Sequence, residues 1–250
     1  MHGGANDLGT IYAMSPSGAF ATMYSFGGGD GSEPNAALVE GADGNLYGTT
    51  TAGGAYNYGT VFQITPGGTL TTLHSFDFST DGSYPSSALV QGTDGNFYGT
   101  AAQGANCLGV GCGTIFQITP TGTLTTLLDF DYTNGSNPYY GLVQGTDGNF
   151  YGATEVGGTY KLGTVFRLYV GLGPFVRTIS AFGKVGTAVT ILGTNLAGAT
   201  SVLFNGTAAA YTILSSAAIQ ATVPSGATSG PLQVTTPNGT LVSNVPFHVM

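Results

Sequence analysis

Along most of the chain, apolar residues fall in short alternating runs separated by clusters of Gly, Pro, Asn and Asp. One stretch reads SALVQGT, then Asp94-Gly95-Asn96, FYGTAA, a Gly-rich loop, GTIFQIT, Pro120-Thr121-Gly122 and TLTTLLDF. β-Branched and aromatic residues with period two predict strands. Each Gly- or Pro-bearing cluster between them predicts a turn. No window sustains a period of 3.6, so almost no helix is expected.

The pattern recurs. GTIYAMSPSG starts at Gly9, GTVFQITPGG at Gly59, GTIFQITPTG at Gly113 and GTVFRLYVGL at Gly163. ALVEGADGN, ALVQGTDGN and GLVQGTDGN form a second set, and DGSEP, DGSYP and NGSNP a third. The period is about 50 residues with four strands in each, the sequence signature of a β-propeller blade. Asp-Gly-Asn at Asp43, Asp94 and Asp147 joins two strands of each unit, where a tight Gly-bearing hairpin is required. Tyr47, Tyr98 and Tyr151 recur in the strand that follows and are expected in the core. The chain opens at the third strand of a unit. It holds two strands, two complete units and three more strands ending near Leu168, thirteen in all. A closed propeller usually needs at least about four blades. Three arrangements follow: a piece of a longer array, a homo-oligomer completing a ring, or an open stack.

These elements, GT-[IV]-[FY], LVQGTDGN-F-YG and DGS-x-P, resemble the GloVer repeat of exported, often surface-anchored bacterial proteins over about residues 3–168. The resemblance implies export and repetition, and supplies no catalytic residues to transfer. The composition shifts after YVGLG. GTAVTILGTNL, SVLFNGTAA, IQATVPSGATSGPLQVTTPNG and VPFHV are similar to an IPT/TIG immunoglobulin-like domain across residues 174–250. Independently, short alternating strands there read as a small β-sandwich. Val189, Ile191, Val202, Phe204, Ile219, Val223, Leu232 and Val234 are its expected inward residues. The expected fold is therefore all-β: a propeller-like array of four-stranded repeats over residues 1–170, then an Ig-like β-sandwich over 174–250.

Charge changes the functional picture. Only 6% of residues are charged, against about 25% in typical soluble proteins, so hydroxyls, amides and backbone must cover the surface. The net charge is −8, and every carboxylate lies at or before Glu155. An acidic body repels phosphate, which argues against nucleic acid as a partner. No apolar run approaches the roughly 18 residues of a membrane span. The start MHGGANDLGT has neither a basic nor an apolar signal region, as expected of a secreted mature form or a fragment. Cys107 and Cys112, in GANCLGVGCGT, are expected to form a disulfide in an oxidising compartment.

Candidate chemistry is sparse. Polysaccharide hydrolysis needs two carboxylates. Asp30 with Glu33, Asp77 with Asp81, and Asp129 with Asp131 lie in the linkers between units, where Asp before Gly reads as turn chemistry. Asp129, Asp131 and Glu155 lack a following Gly and are the best catalytic candidates. DFSTDGSYP offers Asp77, Asp81 and hard oxygen donors, so calcium is the one cofactor the loop chemistry admits. His74 occupies a strand position held by Tyr24 and Leu128 in other units, which suggests packing. Tyr56, Tyr58, Tyr84, Tyr139, Tyr140 and Tyr160 fall in loops beside Asn, Ser and Gly, as adaptable binding surfaces do. The expected function is an extracellular or cell-surface binding or scaffold protein, non-catalytic, with a carbohydrate or cell-surface partner. The alternatives are a polysaccharide- or ester-active hydrolase or lyase using rim carboxylates, and a self-assembling structural protein.

Overall fold

The computed structural model describes residues 3–104 and 112–250. The chain divides into two compact units, Met1–Val143 with Tyr151–Arg167, and Gln144–Phe150 with Leu168–Met250.

The repeats build one small antiparallel sheet after another. β1 (Thr10–Met14) and β2 (Phe20–Ser25) form a pair. β3 (Val39–Glu40), β4 (Leu46–Thr50), β5 (Thr60–Ile64) and β6 (Leu70–Ser75) form a four-stranded sheet in chain order. β7 (Val90–Gln91), β8 (Phe97–Ala101), β9 (Thr114–Ile118) and β10 (Leu124–Asp129) repeat it. β11 (Val143–Gln144), β12 (Phe150–Ala153) and β13 (Val165–Leu168) form a three-stranded sheet. Through Leu168 the described residues thus hold the thirteen expected strands. The first strand of each full unit is shorter than its apolar run predicts. In the second full unit the reason is visible: the Ser87 carbonyl accepts the Thr49 hydroxyl (3.1 Å) and so is engaged outside the ladder.

Among the described residues, the first-to-second and third-to-fourth hairpins of the repeats use the same device. Gly44 N–H donates to Gly41 O (2.9 Å) and Gly41 N–H to Asn45 O (2.8 Å), with Gly44 at φ 79°. The Ser15–Ala19, Thr65–Thr69, Gly92–Asn96, Thr119–Thr123 and Gly145–Asn149 pairs close the other hairpins identically. This is a tight turn followed by a left-handed residue, a conformation that favours glycine.

Aromatic contacts couple one sheet to the next. Phe26 meets Phe62 at 5.4 Å, Phe76 meets Phe116 at 5.2 Å and Phe130 meets Phe166 at 5.3 Å, all edge to face. In each pair, the Phe that follows a fourth strand packs on the third strand of the next sheet. Tyr47 stacks on Phe97 at 4.0 Å. Edge-to-face and offset pairs contribute about 0.5–1.5 kcal/mol each beyond area burial. Tyr47 and Tyr98 are buried as expected, while Tyr151 is half-buried. The central glycine of the second strand makes room for these rings: a Cβ on Gly48 would lie 2.6 Å from Phe62 Cζ, and one on Gly99 2.6 Å from Phe116 Cζ.

In the second unit, β14 (Arg177–Thr178), β15 (Phe182–Gly183), β16 (Ala188–Leu192), β17 (Ser201–Phe204) and β18 (Thr207–Ala208) lead into β19 (Tyr211–Ser215) and β20 (Ala218–Thr222). β21 (Leu232–Thr236), β22 (Gly239–Val242) and β23 (His248–Val249) complete it. Two antiparallel sheets, ordered β14-β16-β20-β19 and β18-β17-β21-β22, supply one core, and β15 pairs with β23 in parallel. All eight residues expected to point inward are in that core. The last Asp-Gly-Asn hairpin groups with this unit: Phe175 N–H donates to Thr146 O (3.0 Å), and the Thr146 and Thr194 hydroxyls are 3.0 Å apart. Among the described residues, no helix is long and apolar enough to cross a membrane.

Candidate functional site

An antiparallel sheet with strands in chain order has two unlike ends. One carries the first-to-second and third-to-fourth hairpins. The other carries the second-to-third loops and the linkers to the next sheet. Their chemistry differs.

At the hairpin end, Asp-Gly-Asn does more than turn the chain. Asp94 accepts from Asn96 N–H (3.3 Å) and Asn96 Nδ2 (2.7 Å), then from the Tyr98 hydroxyl (3.0 Å) and Gln117 Nε2 (3.2 Å). Gln117 also donates to the Tyr98 hydroxyl oxygen (2.7 Å). Asp43, Tyr47 and Gln63 repeat the set. The carboxylate therefore caps a buried tyrosine. Burial first, and then the bond to Asp94, push the Tyr98 phenol up to about 12. Asp43 is held below the usual carboxylate range: the bonds from Asn45 and Tyr47 outweigh the opposing cost of burial. Such a carboxylate is a fixed acceptor.

The linker end gathers most sequence candidates, and several linker carboxylates there serve the fold. Asp81 Oδ1 accepts from Asp77 N–H (2.8 Å), and Asp81 Oδ2 accepts from His74 Nε2 (2.5 Å). His74 thus does more than pack, although its ring also meets Phe76 edge to face at 5.2 Å. In the preceding unit Asp30 receives Gly27 N–H (2.8 Å) and the Tyr24 hydroxyl (2.5 Å). In the following unit Leu128 replaces the donor, and Asn134, with one side-chain oxygen, replaces the carboxylate. That oxygen accepts from Asp131 N–H (3.0 Å). Donor and acceptor change together, a signal present in the sequence that strand-by-strand reading missed.

Asp77 Oδ1 accepts from Ser79 N–H (3.0 Å) and Ser79 Oγ (2.7 Å), which hold its pKa down. Asp77 and Asp81, the expected cation pair, thus each accept from protein donors. Among the described residues no group of three or more His, Cys, Asp or Glu is placed to hold a metal ion. Asp131 corrects the sequence reading. No Gly follows it, yet its carboxylate accepts from the Thr133 hydroxyl (2.7 Å), Thr133 N–H (3.0 Å) and Asn134 N–H (3.0 Å). These bonds, the Thr133 hydroxyl foremost, lower its pKa. Turn chemistry claimed it through hydroxyl donors rather than through glycine. Asp129 and Glu155 are exposed. Cys112 is buried; Cys107, the other half of the expected disulfide, lies outside the described residues.

The loop tyrosines separate into two groups. Tyr58 and Tyr84 are half-buried, with ring centroids 6.3 Å apart, and Tyr58 also meets Phe78 at 5.7 Å. Tyr56, Tyr140 and Tyr160 are 58%, 64% and 85% exposed, and Tyr139 is exposed to a lesser degree. Tyr56 and Tyr160 occupy equivalent positions at the tips of second-to-third loops.

This end also concentrates unusual backbone. Glu33, Tyr84 and Asn137, the variable residue of each DGS-x-P, have φ of 58°, 58° and 56°. Asp7, Asn57 and Lys161 hold the matching place in the second-to-third loops at 58°, 65° and 59°, and Tyr132 stands at 70°. All seven are non-glycine residues in the left-handed region. The backbone enforces it: Tyr84 N–H donates to Tyr58 O (2.9 Å) and Tyr84 O accepts from Ala102 N–H (3.2 Å). Glu33 and Asn137 make the same pair of bonds.

A model of the Gloeobacter/Verrucomicrobia repeat family matches residues 1–219, well past the Leu168 limit expected from the repeats. No curated protein matches the chain. Among solved structures, a structural-genomics protein provisionally described as a gluconolactonase is 12% identical over 96% of this chain and 83% of its own, with a TM-score of 0.43. A gluconolactonase from Xanthomonas campestris is 13% identical over 94% and 79%, at 0.44. A fungal alcohol oxidase in complex with copper is 14% identical over 96% and 58%, at 0.45. Likenesses this distant transfer no activity.

Proposed function

The chain belongs to the Gloeobacter/Verrucomicrobia repeat family, and on that footing we propose that it is an extracellular binding or scaffold protein whose ligand surface is the linker end of its repeat sheets. In this reading each sheet of the first unit is a propeller-type blade, and the C-terminal unit is an Ig-like module of the IPT/TIG kind. One observation carries the proposal: seven non-glycine residues in the left-handed region share an end with the exposed tyrosines. At Glu33, Tyr84, Tyr132 and Lys161 that conformation costs about 1–2 kcal/mol that glycine would avoid, whereas Asp7, Asn57 and Asn137 are of the types that tolerate it. Backbone strain of this kind collects at ligand-contacting surfaces. Glu33, Tyr84 and Asn137 present different side chains on one repeated backbone, as a surface selected for contact would. Tyr56, Tyr140 and Tyr160 supply rings, and the surrounding Asn, Ser and Thr supply neutral hydrogen-bonding groups. That chemistry suits a carbohydrate better than an ion or a nucleic acid.

The hydrolase reading has weaker support. Asp131 is kept ionised by its turn and does not suit the acid role of a glycosidase. A glycan array, followed by titration calorimetry on any hit, tests the proposal. The wild-type chain should bind, and the triple substitution Tyr56→Ala, Tyr140→Ala, Tyr160→Ala should weaken binding at least about tenfold while leaving the melting temperature within a few degrees. Polysaccharide hydrolysis lost in Asp129→Asn with Glu155→Gln would overturn it, and an array without hits would remove carbohydrate as the ligand.

A further inference from the structure

The dipeptide Asn-Gly occurs three times, at Asn134-Gly135, Asn205-Gly206 and Asn238-Gly239. An asparagine side chain is open to attack by the backbone nitrogen of the next residue, and a glycine there, lacking a Cβ, lets the two approach. The fold treats the three copies differently. Asn134 is tied twice to Asp131: its N–H donates to Asp131 Oδ1 (3.0 Å) and its Oδ1 accepts from Asp131 N–H (3.0 Å). Gly135 beside it is buried, and a Cβ there would lie 2.6 Å from Thr154 Cγ2. Asn205 is exposed, yet its Nδ2 donates to Thr228 Oγ1 (2.8 Å) and to Ser229 O (3.1 Å). Asn238 lies in the β21–β22 hairpin and is exposed together with Gly239. The Thr236 hydroxyl accepts from Asn238 N–H (3.2 Å) and donates to Gly239 O (3.1 Å), so it holds the backbone only. Among the described residues nothing hydrogen-bonds the Asn238 side-chain amide, and beyond its chain neighbours nothing lies within 4 Å of a Cβ built on Gly239.

We propose that Asn238 is a self-modification site, at which the chain converts its own side-chain amide to a carboxylate. The Gly239 nitrogen gives up its proton to water and bonds to Asn238 Cγ. The Cγ–Nδ2 bond breaks, and the side-chain nitrogen leaves as ammonia. Water then opens the resulting cyclic imide at either carbonyl, which returns an aspartate or an isoaspartate. No oxidant or cofactor enters. The same step at Asn205 must first break two hydrogen bonds, and at Asn134 it must proceed in packed backbone. Either product adds a negative charge to residues 168–250, which hold no Asp or Glu. Isoaspartate also carries the main chain through one extra methylene group, inside the hairpin that pairs Thr236 with Gly239 and Val234 with Leu241. β22 is an edge strand of its sheet, so its pairing is what the longer backbone loosens first.

The test is incubation of the whole chain at mildly alkaline pH, with and without urea, followed by peptide mapping in a mass spectrometer with fragmentation that distinguishes isoaspartate. In the folded chain Asn238 should convert at least about tenfold faster than Asn205 or Asn134, the factor set by breaking one or two hydrogen bonds beforehand. In urea the three should convert within a few-fold of one another, because the fold alone separates them. Amide exchange over Gly239–Val242 should quicken with incubation time in the wild-type chain and stay constant in Asn238→Gln. Equal rates at the three sites of the folded chain, or Asn205 converting first, would overturn the proposal. So would a ranking that persists in urea, or an Asn238 that stays intact in the folded chain over the time in which the urea sample converts.

Discussion

Tyr98→Phe isolates one hydroxyl of the recurring Asp–Tyr–Gln set. The ring stays in place at 1% exposure, so packing is conserved. The lost hydroxyl donates to Asp94 at 3.0 Å and accepts from Gln117 at 2.7 Å. Neither partner is orphaned, because Asp94 keeps Asn96 and Gln117 keeps Asp94. One charge-assisted and one neutral bond, less that compensation, amount to about 1–2 kcal/mol near pH 8. The alkaline limb supplies the sharper test. The phenol moves from 10.0 when unfolded to about 12 in the fold. A raised pKa contributes stability that is fully present below about pH 10 and is lost as pH climbs through about 12. At pH 11.5 that loss is about 2 kcal/mol, from about 1.4 kcal/mol per pKa unit. Phenylalanine cannot ionise, so the other tyrosines cancel between the two proteins and this loss does not. Urea unfolding of both should show a gap of about 1–2 kcal/mol at pH 8 that closes or reverses by pH 11.5. A gap constant across that range would refute the claim that this hydroxyl is a buried, carboxylate-bound donor.

Gly99→Val places side-chain atoms where a Cβ alone would be 2.6 Å from Phe116 Cζ and 2.8 Å from Leu89 Cδ2. It should cost about 1–3 kcal/mol in urea unfolding, and a cost below about 0.5 kcal/mol would show that the interface yields freely. His74→Leu and Asp81→Asn together recreate the pair that the following unit uses. The double variant should be more stable than the sum of its singles by at least about 1 kcal/mol, and strict additivity in a double-mutant cycle would contradict the pairing. Glu33→Gly relieves a left-handed side chain at an exposed position and should raise stability by about 0.5–1 kcal/mol. Loss of stability in that variant, measured by thermal melting, would place the strain elsewhere.

Spacing carried much of the fold. The repeated Gly-Thr and Asp-Gly-Asn landmarks located the strands of the first unit, because turns need glycine at fixed offsets and hairpins permit few lengths. Period-two alternation found the eight inward residues from Val189 to Val234, because a strand buried on one face must alternate. The functional candidates were less legible. Asp131 looked free of any turn because only glycine was counted as a turn signal, while Thr133 and Asn134 supplied the donors. His74 looked like packing because its partner, Asp81, lies in a loop whose path no local pattern specifies.

The residue sequence by itself determined the strands through Leu168, the hairpin chemistry and the near-absence of charge. Those depend on interactions within a few residues or on composition. Only the tertiary structure decided which loop residues meet. It coupled Tyr24 with Asp30 and His74 with Asp81, and it grouped the final Asp-Gly-Asn hairpin with the C-terminal unit. It set seven side chains in the left-handed region at one end of the sheets. Such contacts join segments that share no local periodicity, and the backbone conformation there is imposed by hydrogen bonds from neighbouring loops rather than by the residue's own preference.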